Sequence, residues 1–193
     1  MTAKSTTERI RTAARRLLDR EGPDAVTMRR VAKAVGITPM AIYRHVADRD
    51  ALLNVLADAG FSDLTSRLAN FSLPASPVRR LMKILDIFLD FALEYPRMFE
   101  LMFFERRQGA RQFPGDFRAG KSPTAHFSAA ALEEGMKQGV FRKDDVWEIV
   151  FEAGAMLQGL VMPYVGGRVE MPQKDFRALC HRAFRRYLNG IRK

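Results

Sequence analysis

The chain has 193 residues, 47% of them hydrophobic, which is enough for one packed domain or two small ones sharing a core. Its 32 Lys and Arg outnumber its 22 Asp and Glu, and the formal net charge of +10 points to a polyanionic partner. One cysteine, Cys180, excludes an intrachain disulfide, the polar N-terminus lacks the apolar stretch of a signal peptide, and the longest apolar run, 149–162, is broken by Glu152 and Gln158 and too short for a bilayer. The expectation is a soluble cytoplasmic protein with no membrane partner.

Helical periodicity recurs from end to end, and no strand-like alternation or hairpin signal interrupts it, so the fold is expected to be all-α with about nine helices. The first is predicted over 6–21: Ile10, Ala13, Ala14, Leu17 and Leu18 share one face, with Arg11, Arg15 and Arg16 off it. Thr27 can cap a second helix with Val31, Ala32 and Val35 on its apolar face, and Gly36 stands where a helix C-terminus wants a left-handed residue. Thr38 and Pro39 begin a third helix, running to about residue 46. It turns Ile42 and Val46 inward and leaves Met40, Ala41, Tyr43, Arg44 and His45 outward.

A long fourth helix starts at Asp48 and carries Leu53, Ala57, Phe61, Leu64 and Leu68 at heptad-like spacing. Pro74 and Pro77 mark a break. The fifth helix, 77–95, is mostly apolar, with a narrow polar stripe of Arg79, Lys83, Asp86, Asp90 and Glu94. Pro96 starts a sixth over 97–107, and the Gly, Pro and basic residues of 108–123 predict a mobile loop. Helices are predicted over 124–138, 143–165 and 172–188; the last keeps an unbroken 3/4 apolar spacing through Phe176, Leu179, Cys180, Ala183, Phe184, Tyr187 and Leu188.

A short outward-facing helix beside a basic first helix is the arrangement that a helix-turn-helix brings to a DNA major groove. Residues 1–47 hold ten Lys and Arg against four acids, so more than half of the excess positive charge lies with this motif. The same stretch resembles the N-terminal DNA-binding domain of TetR-type transcriptional regulators. The residues that carry the resemblance are Thr27, Arg29, Val31, Ala32, Val35, Gly36 and Ile37, then Ile42, Tyr43, His45 and Val46, then Arg49, Leu52 and Leu53. Residues 94–103, Glu-Tyr-Pro-Arg-Met-Phe-Glu-Leu-Met-Phe, are similar to a segment in one subgroup of TetR-type C-terminal domains. The resemblance implies a three-helix DNA-binding domain over 1–50, a long linking helix from 48, and a helical effector-binding and dimerisation domain over 51–193. It also implies a sequence-specific regulator, a repressor whose operator affinity falls when a small molecule binds the C-terminal domain.

The contacts with DNA divide into clamps and readers. Free N–H groups at the starts of the second, third and fourth helices suit phosphates, and the Thr27 and Thr38 hydroxyls serve either there or as simple caps. The resemblance adds Tyr43, His45 and Arg49 as grips on the backbone. It makes Arg29 a reader of guanine, worth roughly 1–3 kcal/mol of discrimination. Pro39, Met40 and Ala41 offer apolar contacts only, for instance to thymine methyls; Arg44 reaches a base or a phosphate, or is a solvated charge.

One short helix-turn-helix offers little specific area, so a homodimer on a palindromic double-stranded operator is expected. Ala153 and Gly159 on the eighth helix, with Phe176, Leu179, Ala183 and Tyr187 on the ninth, are the candidate pairing surface, or else intrachain core. Phe88, Phe99, Met102, Phe103, Trp147, Phe151 and Met156 are ordinary core or, as a set, an adaptable pocket for a small apolar or amphipathic effector. An enzyme is not expected. His45, His126, His181 and Cys180 form no metal-ligand spacing, no phosphate loop or nucleophile elbow is present, and no cofactor is implied. A membrane-surface or RNA-binding helical protein leaves Gly36, Thr38-Pro39 and Tyr43 without a purpose.

Overall fold

The chain is described by a computed structural model over residues 5–72 and 74–193. Among the described residues ten α-helices follow one another: α1 (Thr6–Glu21), α2 (Met28–Val35), α3 (Pro39–Ile42), α4 (Arg49–Ala69), α5 (Pro77–Glu94), α6 (Pro96–Phe103), α7 (Gly115–Arg118), α8 (Pro123–Lys137), α9 (Val146–Val165) and α10 (Gln173–Gly190). A single 3₁₀ turn, Pro23–Ala25, links α1 to α2. The fold is all-α, as its periodicity predicts; among the described residues the only β pairing is one isolated bridge, Phe141 with Arg192.

The helix ends lie where the capping chemistry puts them. Ser5, Thr27 and Thr38 each accept a hydrogen bond from the backbone N–H three residues on, at 3.2, 3.3 and 3.1 Å. Asp48 does the same for Ala51 at 2.7 Å, so α4 opens one residue later than its cap. Gly36 closes α2 at φ 75°, ψ 35°, and Ile37 N–H reaches back to Ala32 O at 3.1 Å.

Three elements depart from expectation. α3 keeps α-helical geometry only to Ile42; Arg44 and His45 then bond back three residues, a tighter turn of the kind common at helix C-termini. α6 ends at Phe103, because Phe104 and Glu105 N–H groups both turn onto Glu100 O. The loop that follows is not without structure but carries local hydrogen bonds and one helical turn. Asp116 accepts from Gln112 N–H at 2.8 Å and from Lys121 Nζ at 2.9 Å, Arg111 Nε donates to Lys121 O at 2.6 Å, and α7 forms one turn within it.

The helices sort into two compact units. The first comprises the chain up to Asp63 together with Tyr95–Ala110; the second comprises Leu64–Glu94 and Arg111–Lys193. α4 is therefore shared, and α6 packs with the N-terminal helices, on α1 and the 3₁₀ turn. The first unit buries Ile10, Ala14, Leu18, Val31, Ala32 and Ile42 with Phe99 and Leu101. In the second, α5 packs on α8, α9 and α10. Gly135 on α8 leaves room for the Phe141 ring, and a Cβ there would overlap it. Across α5 and α10, His181 Nε2 meets Asp86 at 2.7 Å and Arg177 donates to Asp90 at 2.6 Å. No helix among the described residues is long and apolar enough to cross a membrane.

Candidate nucleic-acid interface

The recognition surface is built on one buried anchor. Ile42 is 0% exposed, whereas its neighbours Met40 and Tyr43 are 75% and 51% exposed. Pro39, Arg44 and His45 are exposed as well, and Ala41 is half-buried. A four-residue helix has no propensity to stand alone; α3 is held by the Thr38 cap, by Pro39 at its first turn and by Ile42 in the core.

α2 distinguishes two adjacent arginines. Arg30 makes a two-pronged hydrogen bond to Glu21 at 2.7 and 2.8 Å, and that guanidinium holds the Glu21 carboxyl below the usual carboxylate range. Arg29 points to solvent. On α1, Arg11 pairs with Glu8 and Arg15 with Asp19, while Arg9 reaches across to Val35 O at 2.6 Å and pins the last turn of α2. Thr7 and His45 lie 3.4 Å apart, which places His45 against the start of α1. Arg9, Glu21 and Arg30 escape sequence reasoning, because their partners stand 9 to 26 residues away.

Arg49 differs from the exposed clamp that its position suggests. Its Nε donates to Val26 O and one terminal nitrogen to Pro23 O, both at 3.0 Å, and the same nitrogen lies 3.0 Å from Glu105. Three partners within its own unit thus meet two of the guanidinium nitrogens.

Comparison with known proteins decides what this surface belongs to. Residues 10–56 match the model of bacterial regulatory proteins of the tetR family, and residues 81–187 match that of tetracyclin repressor-like C-terminal domains. The chain belongs to the TetR family. An HTH-type transcriptional regulator of Staphylococcus aureus is 23% identical over 191 residues, covering 98% of this chain and 93% of the relative. A protein of unknown function from Rhodococcus sp. RHA1 superimposes with a TM-score of 0.76 at 22% identity, covering 99% and 97% of the two chains. A TetR transcription regulator from Haloarcula marismortui gives 0.71 at 20% identity, over 97% and 98%. As a TetR-family member the chain is a DNA-binding transcriptional regulator of the helix-turn-helix type, not an enzyme.

The residues singled out in the C-terminal part fall in both units. Phe99, Met102 and Phe103 belong to the first unit, where Phe103 meets Phe61 edge-on at 5.5 Å and Phe99 at 4.8 Å. Phe88, Trp147, Phe151 and Met156 belong to the second. There Trp147 packs edge-on against His126, and Phe151, 46% exposed, stacks on Phe113 at 4.3 Å. An open groove of about 370 Å³ in this unit is lined by Arg67, Asp90, Leu93, Glu94, Gln173 and Arg177, a charged wall rather than an apolar one.

Of the candidate pairing residues, Phe176 is 0% exposed and stacked on Tyr164 at 3.8 Å, so it is intrachain core. Ala153, Leu179, Ala183 and Tyr187 are half-buried and Gly159 is exposed. The Tyr187 hydroxyl donates to Ile149 O at 3.1 Å and Glu152 at 2.8 Å, and burial, with Glu152 beside it, pushes its pKa up. Burial likewise pushes the Cys180 thiol up to about 11, where it is unreactive at neutral pH.

Proposed function

We propose that this regulator is a cytoplasmic homodimeric repressor. It binds a palindromic operator through residues 1–50 and releases it when a small apolar or amphipathic effector binds within residues 51–193. The observation that carries the DNA-reading half is the contrast on α3: one buried anchor, Ile42, beneath the exposed Met40 and Tyr43. In this reading Arg29 reads a base, Arg44 contacts a base or a phosphate, and Thr27, Thr38, Tyr43 and His45 hold the DNA backbone. Pro39, Met40 and Ala41 supply apolar contacts in the groove.

The pairing face is α9 with α10, through Ala153, Gly159, Leu179, Ala183 and Tyr187. The effector is sought among Phe88, Trp147, Phe151 and Met156 of the second unit. An effector shifts the equilibrium between operator-fitting and non-fitting dimers only by its differential affinity for the two.

Selection of bound duplexes from a random-sequence DNA pool at about 150 mM salt, where distant charges are screened, tests the reading. A palindrome with two half-sites is expected. Recovery of unselective, salt-sensitive binding alone would remove the operator from the proposal.

A further inference from the structure

We propose that Arg49 is a positioning residue for DNA reading rather than a phosphate clamp: it ties the start of α4 to the entry of α2 and is held in that orientation by Glu105. The proposal rests on the DNA-binding reading above and concerns how that surface is held together.

Arg49 is the first residue of α4, and its side chain is 33% exposed. It takes the carbonyls of Pro23, in the 3₁₀ turn, and of Val26, the residue before the Thr27 cap of α2. A guanidinium presents its donors in a fixed planar fork, so two carbonyls and a carboxylate on its edges fix its plane. The entry of α2 and the first turn of α4 are thereby locked together. Since Arg29 lies in the first turn of α2, this lock sets where Arg29 points.

Glu105, 19% exposed, is not a loose surface partner. The loop that carries it is fastened to the same two turns of α4: Gln108 N–H donates to Asp50 at 2.8 Å, and Asn54 Nδ2 donates to Gln108 O at 2.7 Å. Asp24 stands 4.0 Å from Arg49 but is fully exposed, and adds little. For Arg49 to grip a phosphate it would have to leave two carbonyls and a carboxylate; Pro23 O would keep the Val26 N–H, but the side-chain bond to Val26 O would be lost.

The two roles predict opposite results for Glu105→Gln. If Arg49 positions, removing the carboxylate loosens the lock and weakens operator binding. If Arg49 clamps, the same change frees it from a competitor and strengthens binding. Arg49→Lys separates them again, because lysine keeps a charge for phosphate but cannot span two carbonyls and a carboxylate.

The test uses the full chain and its selected operator, with affinity measured against salt for Arg49→Ala, Arg49→Lys, Glu105→Gln and Tyr43→Ala. Amide exchange of residues 26–30 is followed in the free proteins. Positioning predicts affinity losses of tenfold or more for both Arg49 variants and a smaller loss for Glu105→Gln. It also predicts salt slopes unchanged from the parent and faster exchange at the α2 entry in all three. Tyr43→Ala is the uncharged control, expected to weaken binding with its slope unchanged, whereas loss of a cationic phosphate contact lowers the slope by about 0.9 per half-site. A slope reduced by that amount in Arg49→Ala, tighter binding by Glu105→Gln, or unaltered exchange would overturn the proposal. If Arg49→Ala does not fold, Arg49→Lys and Glu105→Gln carry the decision. Should the parent select no duplex, the DNA-binding reading fails while the exchange arm still decides the lock.

Discussion

Arg29 and Arg30 are neighbours with different work to do. Arg30 is spent on Glu21, nine residues upstream, and fastens α2 to the end of α1. Arg29 points to solvent from the first turn of α2. Arg29→Ala is therefore expected to leave the melting temperature unchanged and to relax preference at one operator position, by about 1–3 kcal/mol if a guanine is read two-pronged. Arg30→Ala should lower the melting temperature and leave the preference intact. Binding to single-base operator variants, beside thermal melts, separates the two. A second residue-scale prediction concerns Gly135, which the Phe141 ring requires to be bare. Gly135→Ala gains helix propensity but overpacks a buried ring, a change that costs about 1–3 kcal/mol; the melt should show a net loss.

Elements were legible where their ends are written locally. Thr27, Gly36, Thr38 and Asp48 mark α2, α3 and the start of α4 because a cap and its N–H partner lie within three residues. The end of α6 was not, since nothing in the residues around 103 announces that two N–H groups will share Glu100 O. α7 was hidden too: its loop is ordered by partners brought from elsewhere. Arg118 donates to Asp145, which also caps α9 through Trp147 and Glu148 N–H at 2.9 and 3.2 Å. The Arg118 hydrogen bond, with the two N–H groups, holds the Asp145 carboxyl below its usual value. A folded-state pKa depressed in this way contributes stability at pH values above the unfolded pKa, and that contribution is lost as pH falls through the folded one. The tie between the loop and α9 should thus hold at neutral pH and fail only in acid, below about 4. Asp145→Asn keeps a competent cap but no charge for Arg118. Trypsin should cut at Arg111, Arg118 or Lys121 faster in Asp145→Asn than in the parent at pH 7, with helix content unchanged. Equal cutting would mean that Phe113 stacked on Phe151 holds the loop without the ion pair.

At the scale of the molecule, the sequence pattern told the DNA-reading half apart better than the rest, for a physical reason. A helix-turn-helix is specified by short-range signals, whereas apolar residues on long helices look alike whether they fill a core, line a pocket or face a second copy. Phe176 illustrates the ambiguity: its 3/4 spacing matches Leu179, Ala183 and Tyr187, yet it is stacked on Tyr164 inside the chain. What remains of the proposed α9–α10 face is small or half-buried residues, with Gly159 exposed and Ala183 between Leu179 and Tyr187 along α10. On the proposed pairing face, a carboxylate at Ala183 would be buried against the second copy and lose its hydration. Being half-buried, the same position should accept the change in an isolated chain. Ala183→Glu is accordingly expected to keep its helix content and to sediment as a monomer at micromolar concentration. Losing the second half-site also removes half of the phosphate contacts. The dependence of log affinity on log salt should then fall to about half the parent's slope, since each contact contributes about 0.9. A variant that remained dimeric with an undiminished slope would place the pairing surface elsewhere on the chain.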